Sequence, residues 1–206
     1  MRMVSIVGAD GVGKSTVTAA LRERVPARLV DRWDIVGNQD YPTASCLVDD
    51  TRVVRSCAAR MSSTPRLLFL VWASVMAITD NSSGWDPDSV LLLDGYWVKH
   101  AASEIAYGAD PAWVEAVTAG LPPSDLVIYL RSDPETAWLR KGGDVLPYEC
   151  GMDMSRSRES FLAHQREIHR VLDRWSARHG WVEIDARRPL DLVLDDVSAC
   201  FEVVPG

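Results

Sequence analysis

Residues 8 to 15 read Gly-Ala-Asp-Gly-Val-Gly-Lys-Ser, a complete G-x-x-x-x-G-K-[ST] phosphate loop. No other feature narrows the choice of fold as much. Before it, Met3-Val4-Ser5-Ile6-Val7 is a short apolar run that fits a buried parallel strand. After it, residues 14–24 carry Val17, Ala20 and Leu21 at helical spacing. Strand, glycine loop and helix are the context that gives this motif its meaning. Gly8, Gly11 and Gly13 let the backbone curl so that successive N–H groups, those of Val12 and Thr16 among them, point at phosphate oxygens. The helix N-terminus adds its positive end. Lys14 is placed to reach the β- and γ-phosphates, and the Ser15 hydroxyl to ligate Mg²⁺. The expected cofactors are therefore ATP and Mg²⁺.

The rest of the chain fits an α/β fold. Strands are expected at about residues 2–7, 27–32, 89–94, 125–131 and 181–185. Helices are expected at about 14–24, 44–60, 64–79, 97–107, 110–119, 134–141, 156–179 and 189–202. This alternation predicts a five-stranded parallel sheet flanked by helices, a three-layer sandwich in one domain spanning 1–206. Asp110-Pro111, Ser132-Asp133-Pro134 and Arg188-Pro189 read as helix starts, and Asn81-Ser82-Ser83-Gly84 as a loop. The run Leu67 to Ala77 reads as a helix buried all round. Residues 141–155 carry Gly142-Gly143 between two helices and read either as a mobile lid or as a plain surface loop.

Charge and cysteine usage exclude other classes. The net charge of −7 leaves no basic excess for coating nucleic acid, but a small anionic ligand needs only a local positive pocket. No apolar run is long enough to span a bilayer. Cys46, Cys57, Cys150 and Cys200 are scattered, with no CxxC pair, so they are expected as thiols in the cytoplasm.

A second group of residues follows the third strand. Ser89-Val90-Leu91-Leu92-Leu93-Asp94 ends in an acid at the edge of the sheet where ligands bind in such folds. Asp94 there holds the Mg²⁺ shell or takes a proton from an attacking hydroxyl; the plain alternative is a turn aspartate. Tyr96, Lys99, His100 and Ser103 come next. They are either acceptor contacts or simply a helix start and its exposed face.

Taken in order, several marks resemble the thymidylate kinase family of P-loop kinases. They are the phosphate loop through Thr16, Leu67-Leu68-Phe69, Leu93-Asp94-x-Tyr96, and Asp133-Pro134-Glu135-x-Ala137-x-x-Arg140, with Glu149 and Phe161 beyond the lid. The resemblance implies that Asp10 faces the acceptor's sugar and Phe69 stacks on its ring. It also implies that Asp94 sits by metal and nucleophile, and that Arg140 approaches the transferring phosphoryl group. It implies a homodimer through the apolar helices. The departures lie on the acceptor side. Where the family has Asp-Arg, with the Arg gripping the acceptor phosphate, this chain has Asp94-Gly95. Ala73 stands in place of a base-reading Arg, and His100 and Ser103 stand in place of an Asn and a Tyr. The combined expectation is a Mg-ATP-dependent phosphotransferase acting on a nucleoside- or nucleotide-like small molecule other than ordinary dTMP. Two alternatives remain: a kinase of a non-nucleotide small molecule, and a catalytically silent nucleotide-binding module. A GTPase-like switch lacks its base-reading Asn-Lys-x-Asp.

Overall fold

The computed structural model describes residues 1–81, 83–86 and 88–203, so Ser82 of the expected loop lies outside the described residues. Five parallel strands form one sheet: β1 (Arg2–Val7), β2 (Ala27–Val30), β3 (Val90–Asp94), β4 (Leu126–Arg131) and β5 (Val182–Asp185). Their spatial order is β2-β3-β1-β4-β5. The phosphate-loop strand β1 is therefore central, flanked by β3 and β4, and buried along almost its whole length. Central parallel strands are covered on both faces, which is why Val4, Ile6 and Val7 alternate with no exposed partner.

Among the described residues eight α-helices complete the sandwich: α1 (Lys14–Leu21), α2 (Thr51–Arg60), α3 (Ser63–Thr79), α4 (Val98–Ala106), α5 (Pro111–Thr118), α6 (Pro134–Lys141), α7 (Arg158–His179) and α8 (Leu190–Val203). One face of the sheet packs Val4, Ile6, Leu92 and Ile128 against Val17 and Leu21 of α1 and Val193, Leu194 and Val197 of α8. On the other face Val7 and Tyr129 meet Ala101 of α4 and Ile168 and Leu172 of α7. A smaller core under α3 joins Leu91 and Leu93 to Ala73, Ala77 and Ile78.

Several boundaries differ from those expected, for local reasons. β2 stops at Val30, paired with Leu93, so Asp31 and Arg32 leave the ladder and pass over the carboxyl edge of the sheet. α2 begins at Thr51, because the Asp50 carboxylate caps it by accepting from the Arg52 N–H at 2.7 Å. Asp110 and Asp133 cap α5 and α6 in the same way. α3 is not buried all round, since Leu68 and Trp72 stand in solvent while Leu67, Leu70, Val71 and Ala73 pack inward.

Residues 141–155 fold as a glycine turn and a short 3-10 helix, Pro147–Cys150. In this structure they are anchored. Lys141 pairs with Glu149 at 2.6 Å, and Glu149 accepts from the Leu146 N–H at 2.9 Å. Beneath them Val145, Cys150, Phe161 and Leu162 form their own apolar cluster.

Candidate active site

A cleft of about 560 Å³ opens over the carboxyl edge of β1, β2 and β3. Its floor is the phosphate loop. Gly11 is required there: its φ is +77°, and a Cβ at this position would lie 2.9 Å from the Ala137 carbonyl oxygen. Val12 turns into the core and fixes the loop from below, while Gly8 is buried. Gly13, Ser15 and Thr16 line the cleft at the start of α1.

Lys14 folds its ammonium onto the loop itself, donating to the carbonyls of Gly8 at 3.0 Å and Ala9 at 2.8 Å. Burial draws its pKa below the usual lysine value, against the opposing pull of Asp10 and Asp94. The Ser15 hydroxyl donates to Asp94 Oδ2 at 2.8 Å, so helix α1 and strand β3 are joined at one point in the cleft. Arg140, on α6, also reaches the cleft. Its guanidinium donates to the Val12 carbonyl at 3.0 Å and to the Ala186 carbonyl at 2.7 Å, tying the phosphate loop to the segment after β5.

The other end of the cleft is built around a buried ion pair. Asp10 and Lys99 meet at 2.9 Å, with their side chains 13% and 8% exposed. Burial by itself would raise the Asp10 carboxyl. Lys99, with Lys14 behind it, outweighs burial and holds the pKa down to about 2. The pair works the other way on Lys99, where Asp10 outweighs burial and raises the ammonium. Gln165 of α7 closes the arrangement: its amide oxygen accepts the Asp10 N–H at 3.0 Å and its nitrogen donates to the Glu149 carbonyl at 2.9 Å. The phosphate loop, α4, α7 and the lid segment are thus bonded through Asp10.

His100 lines the cleft and is buried. Burial, and after it the charges of Arg32, Lys99, Lys14 and Arg55, depress its pKa well below the ordinary histidine value, so the ring is neutral.

Phe69, Tyr96 and Ser103 stand outside the cleft wall. Phe69 is half-buried, with its ring 6.4 Å from that of Trp33, which does line the cleft. Tyr96 has φ of 43° and turns inward, its hydroxyl donating to the Pro122 carbonyl. Ser103 is fully buried and its hydroxyl donates to the Lys99 carbonyl at 3.0 Å. Tyr148 of the lid segment lies beside it, with the Lys99 ammonium 4.7 Å above its ring.

The sequence reading missed Asp31, Arg32, Trp33 and Arg55, all of which line the cleft. The first three were findable. They follow directly on β2, and the rule that ligands bind beyond the carboxyl ends of strands applies to β2 as it does to β3. Arg55 carried no such signal, because it sits mid-helix among other exposed polar residues.

The architecture and cleft are those of a P-loop kinase. In sequence the chain is thymidylate kinase-like. It is 25% identical to the probable thymidylate kinase 1 of Saccharolobus solfataricus over 171 residues, covering 82% of this chain and 85% of that protein. It is 24% identical to the probable thymidylate kinase of Archaeoglobus fulgidus over 206 residues, covering 97% and 94%. No family model matches the chain. In fold it resembles the deoxyadenosine kinase of M. mycoides solved with bound dATP, at TM-score 0.63 and 13% identity, covering 97% of this chain and 99% of that one. Among the described residues no helix is long and apolar enough to cross a membrane.

Proposed function

We propose that this protein transfers the γ-phosphoryl group of Mg-ATP to a nucleoside- or nucleotide-like acceptor other than ordinary dTMP. The observation that carries this reading is the Ser15–Asp94 contact at 2.8 Å, beside Lys14 and in the same cleft as the Asp10–Lys99 pair. Donor machinery and an enclosed acceptor end lie side by side. A hydroxyl and a carboxylate are hard oxygen donors of the kind Mg²⁺ takes from protein while keeping its waters and substrate phosphates, so these residues fit that ion. The metal would neutralise charge on the β- and γ-phosphates.

The chain's own residues supply the rest. Loop N–H groups and Lys14 hold the triphosphate, with the Lys14 ammonium exchanging the Gly8 and Ala9 carbonyls for phosphate oxygens. Burial and the lid segment exclude water from the transferring group. Asp10, kept ionised, is an acceptor for an acceptor-molecule hydroxyl only when Lys99 shares it.

Exclusion of dTMP rests on the acceptor end. Gly95 supplies no side chain and has φ of +75°, a conformation in which an arginine would be strained. Ala73 is fully buried, and the Lys99 charge is already matched by Asp10. We infer a homodimer through the exposed apolar face of α3, at Leu68 and Trp72; a monomer by analytical ultracentrifugation at assay concentrations rules it out. The test of function is ADP release with ATP and a panel of nucleosides, nucleoside monophosphates and simple alcohols. Transfer to nucleoside-like acceptors with dTMP poor is the expected result. Efficient dTMP turnover, or bound ATP with no transfer to any acceptor, overturns it.

A further inference from the structure

Arg66 of α3 and Glu104 of α4 form a second buried ion pair, outside the cleft. Arg66 Nε donates to Glu104 Oε1 at 2.6 Å and Nη2 to Oε2 at 2.8 Å, and the two side chains are 4% and 0% exposed. The remaining guanidinium nitrogen, Nη1, donates to the Met61 carbonyl at 2.7 Å. All three nitrogens are engaged, so the guanidinium plane cannot turn. Such a pair is a poor device for stability alone. Taking both charges out of water costs about as much as their attraction returns, and apolar side chains of similar volume often do as well or better. What the pair provides is a cation of fixed place and orientation.

That cation faces aromatic rings. Its central carbon stands 4.9 Å from the Tyr107 ring centroid and 5.1 Å from that of Tyr148. Both distances are within reach of a cation–π contact, which strengthens where water is excluded. The two rings are 5.5 Å apart, and Tyr107 is stacked on His164 of α7. The Tyr107 hydroxyl donates to the Tyr148 carbonyl, so both the ring and the backbone of this one lid residue are held. Arg66, Glu104, Tyr107 and Tyr148 are not among the residues lining the cleft. Tyr148 nevertheless meets two groups that are. The Lys99 ammonium is 4.7 Å from its ring, and Glu149 follows it in the chain.

We propose that Arg66, Glu104 and Tyr107 are positioning residues, which set Lys99 and Glu149 for phosphotransfer by holding Tyr148. The inference rests on the phosphotransfer reading above and deepens it. Glu104 fixes Arg66, and Arg66 and Tyr107 together fix Tyr148. Tyr148 in turn fixes the Lys99 ammonium and the backbone entering Glu149. Small displacements there are costly, because a shift of about 1 Å in a positioned group can lower turnover roughly a hundredfold. None of these contacts involves Lys14, Ser15 or Asp94, so the hold on ATP is independent of them.

The test uses the full chain. Arg66→Met combined with Glu104→Leu replaces the pair by apolar side chains and should melt near the wild-type temperature or above it. With ATP and the acceptor that the wild type turns over best, its kcat should fall roughly tenfold or more, while KM for ATP stays within about twofold. Tyr148→Leu should lose as much. Tyr148→Phe keeps the ring and should restore most of that loss. The triple variant should lose no more than Tyr148→Leu alone, because the pair acts through Tyr148. Hydrogen exchange without any substrate reads the hold directly. The Glu149 amide, bonded to the Leu146 carbonyl at 2.9 Å, should exchange at least roughly tenfold faster in the pair variant. A folded pair variant with wild-type kcat overturns the positioning role, and so do losses that add independently to that of Tyr148→Leu. If the pair variant does not fold, Tyr148→Leu decides alone, and a wild-type kcat there overturns the role. Unchanged exchange at Glu149 overturns the hold whatever the protein does with ATP. A wild type that transfers to no acceptor overturns the phosphotransfer reading, and the exchange result distinguishes that failure from this one.

Discussion

Replacing Lys99 by Met strands the Asp10 carboxylate in a buried site, and the cost can be worked from the structure. Breaking a buried ion pair from one side costs roughly 3–5 kcal/mol. Here the lower end applies, because Gln165 Nε2 still faces Asp10 at 3.3 Å and Lys14 remains near. A second route gives a similar scale. Held from 3.8 down to about 2, the Asp10 carboxylate contributes roughly 2 kcal/mol at neutral pH. The sign follows from a depressed folded pKa: that stability is present above pH 3.8 and is lost as pH falls toward 2. About 3 kcal/mol in a chain of this size corresponds to a melting temperature lower by roughly 6–12 °C at pH 7. With Lys99 gone, burial raises the Asp10 carboxyl against only the weaker pulls of Lys14 and Lys141, so protonation relieves the variant first. The gap to wild type should therefore narrow as pH falls from 7 to 4. Asp10→Asn combined with Lys99→Met should recover at least half of the loss, since a neutral pair needs no counter-charge. Thermal melts of the four proteins across that pH range decide the matter. A gap that does not change with pH, or a double variant as unstable as the sum of the singles, refutes the pairing energetics.

Lys14→Ala should fold normally, since its ammonium bonds only to loop carbonyls, and lose roughly a hundredfold to a thousandfold in kcat; a wild-type rate in the folded variant refutes the loop mechanism. Asp94→Asn should lose roughly a hundredfold in turnover, whereas a loss under about threefold marks a plain turn aspartate. Gly11→Ala forces a side chain to φ of +77° against the Ala137 carbonyl, so ATP affinity by calorimetry should fall about tenfold or more. Tyr148→Phe removes a buried hydroxyl that makes no hydrogen bond, so stability in urea should hold or rise by about 1 kcal/mol.

The donor half of this protein was legible because it is made of backbone. A phosphate loop needs glycines in fixed order, an apolar strand before it and a helix after it, and all of that is written within residues 3–21. The sheet was legible for a related reason, since buried parallel strands are continuous apolar runs. What escaped was set by competition at element ends. β2 was read two residues too long because nothing in Val30-Asp31-Arg32 announces that its neighbour β3 turns away at Gly95. α2 was read seven residues too long because the Asp50 cap outweighs the helical content before it. α3 was read as buried because Leu68 and Trp72 are as apolar as their inward-facing neighbours, and composition cannot say which face is covered.

The Asp10–Lys99 end of the cleft was harder to read because its parts come from several elements. Compared position by position, the chain lacks an arginine at Gly95 and a large aromatic residue at Ser103. In space other side chains stand near both positions. The Tyr148 ring, forty-five positions further on, packs beside Ser103 and under the Lys99 ammonium. Arg32 brings a guanidinium to the edge of β3 from the neighbouring strand's end. This placement has a physical consequence. A tyrosine on α4 would be fixed by its helix, but Tyr148 belongs to the lid segment and is held there by Lys141–Glu149 and by Gln165 on the Glu149 carbonyl. Tyr148 itself stands outside the cleft, whereas Lys141 and Glu149 of the same segment line it. The segment is bonded to the phosphate loop through one side chain, Gln165, a link that contacts within α4 alone would not make.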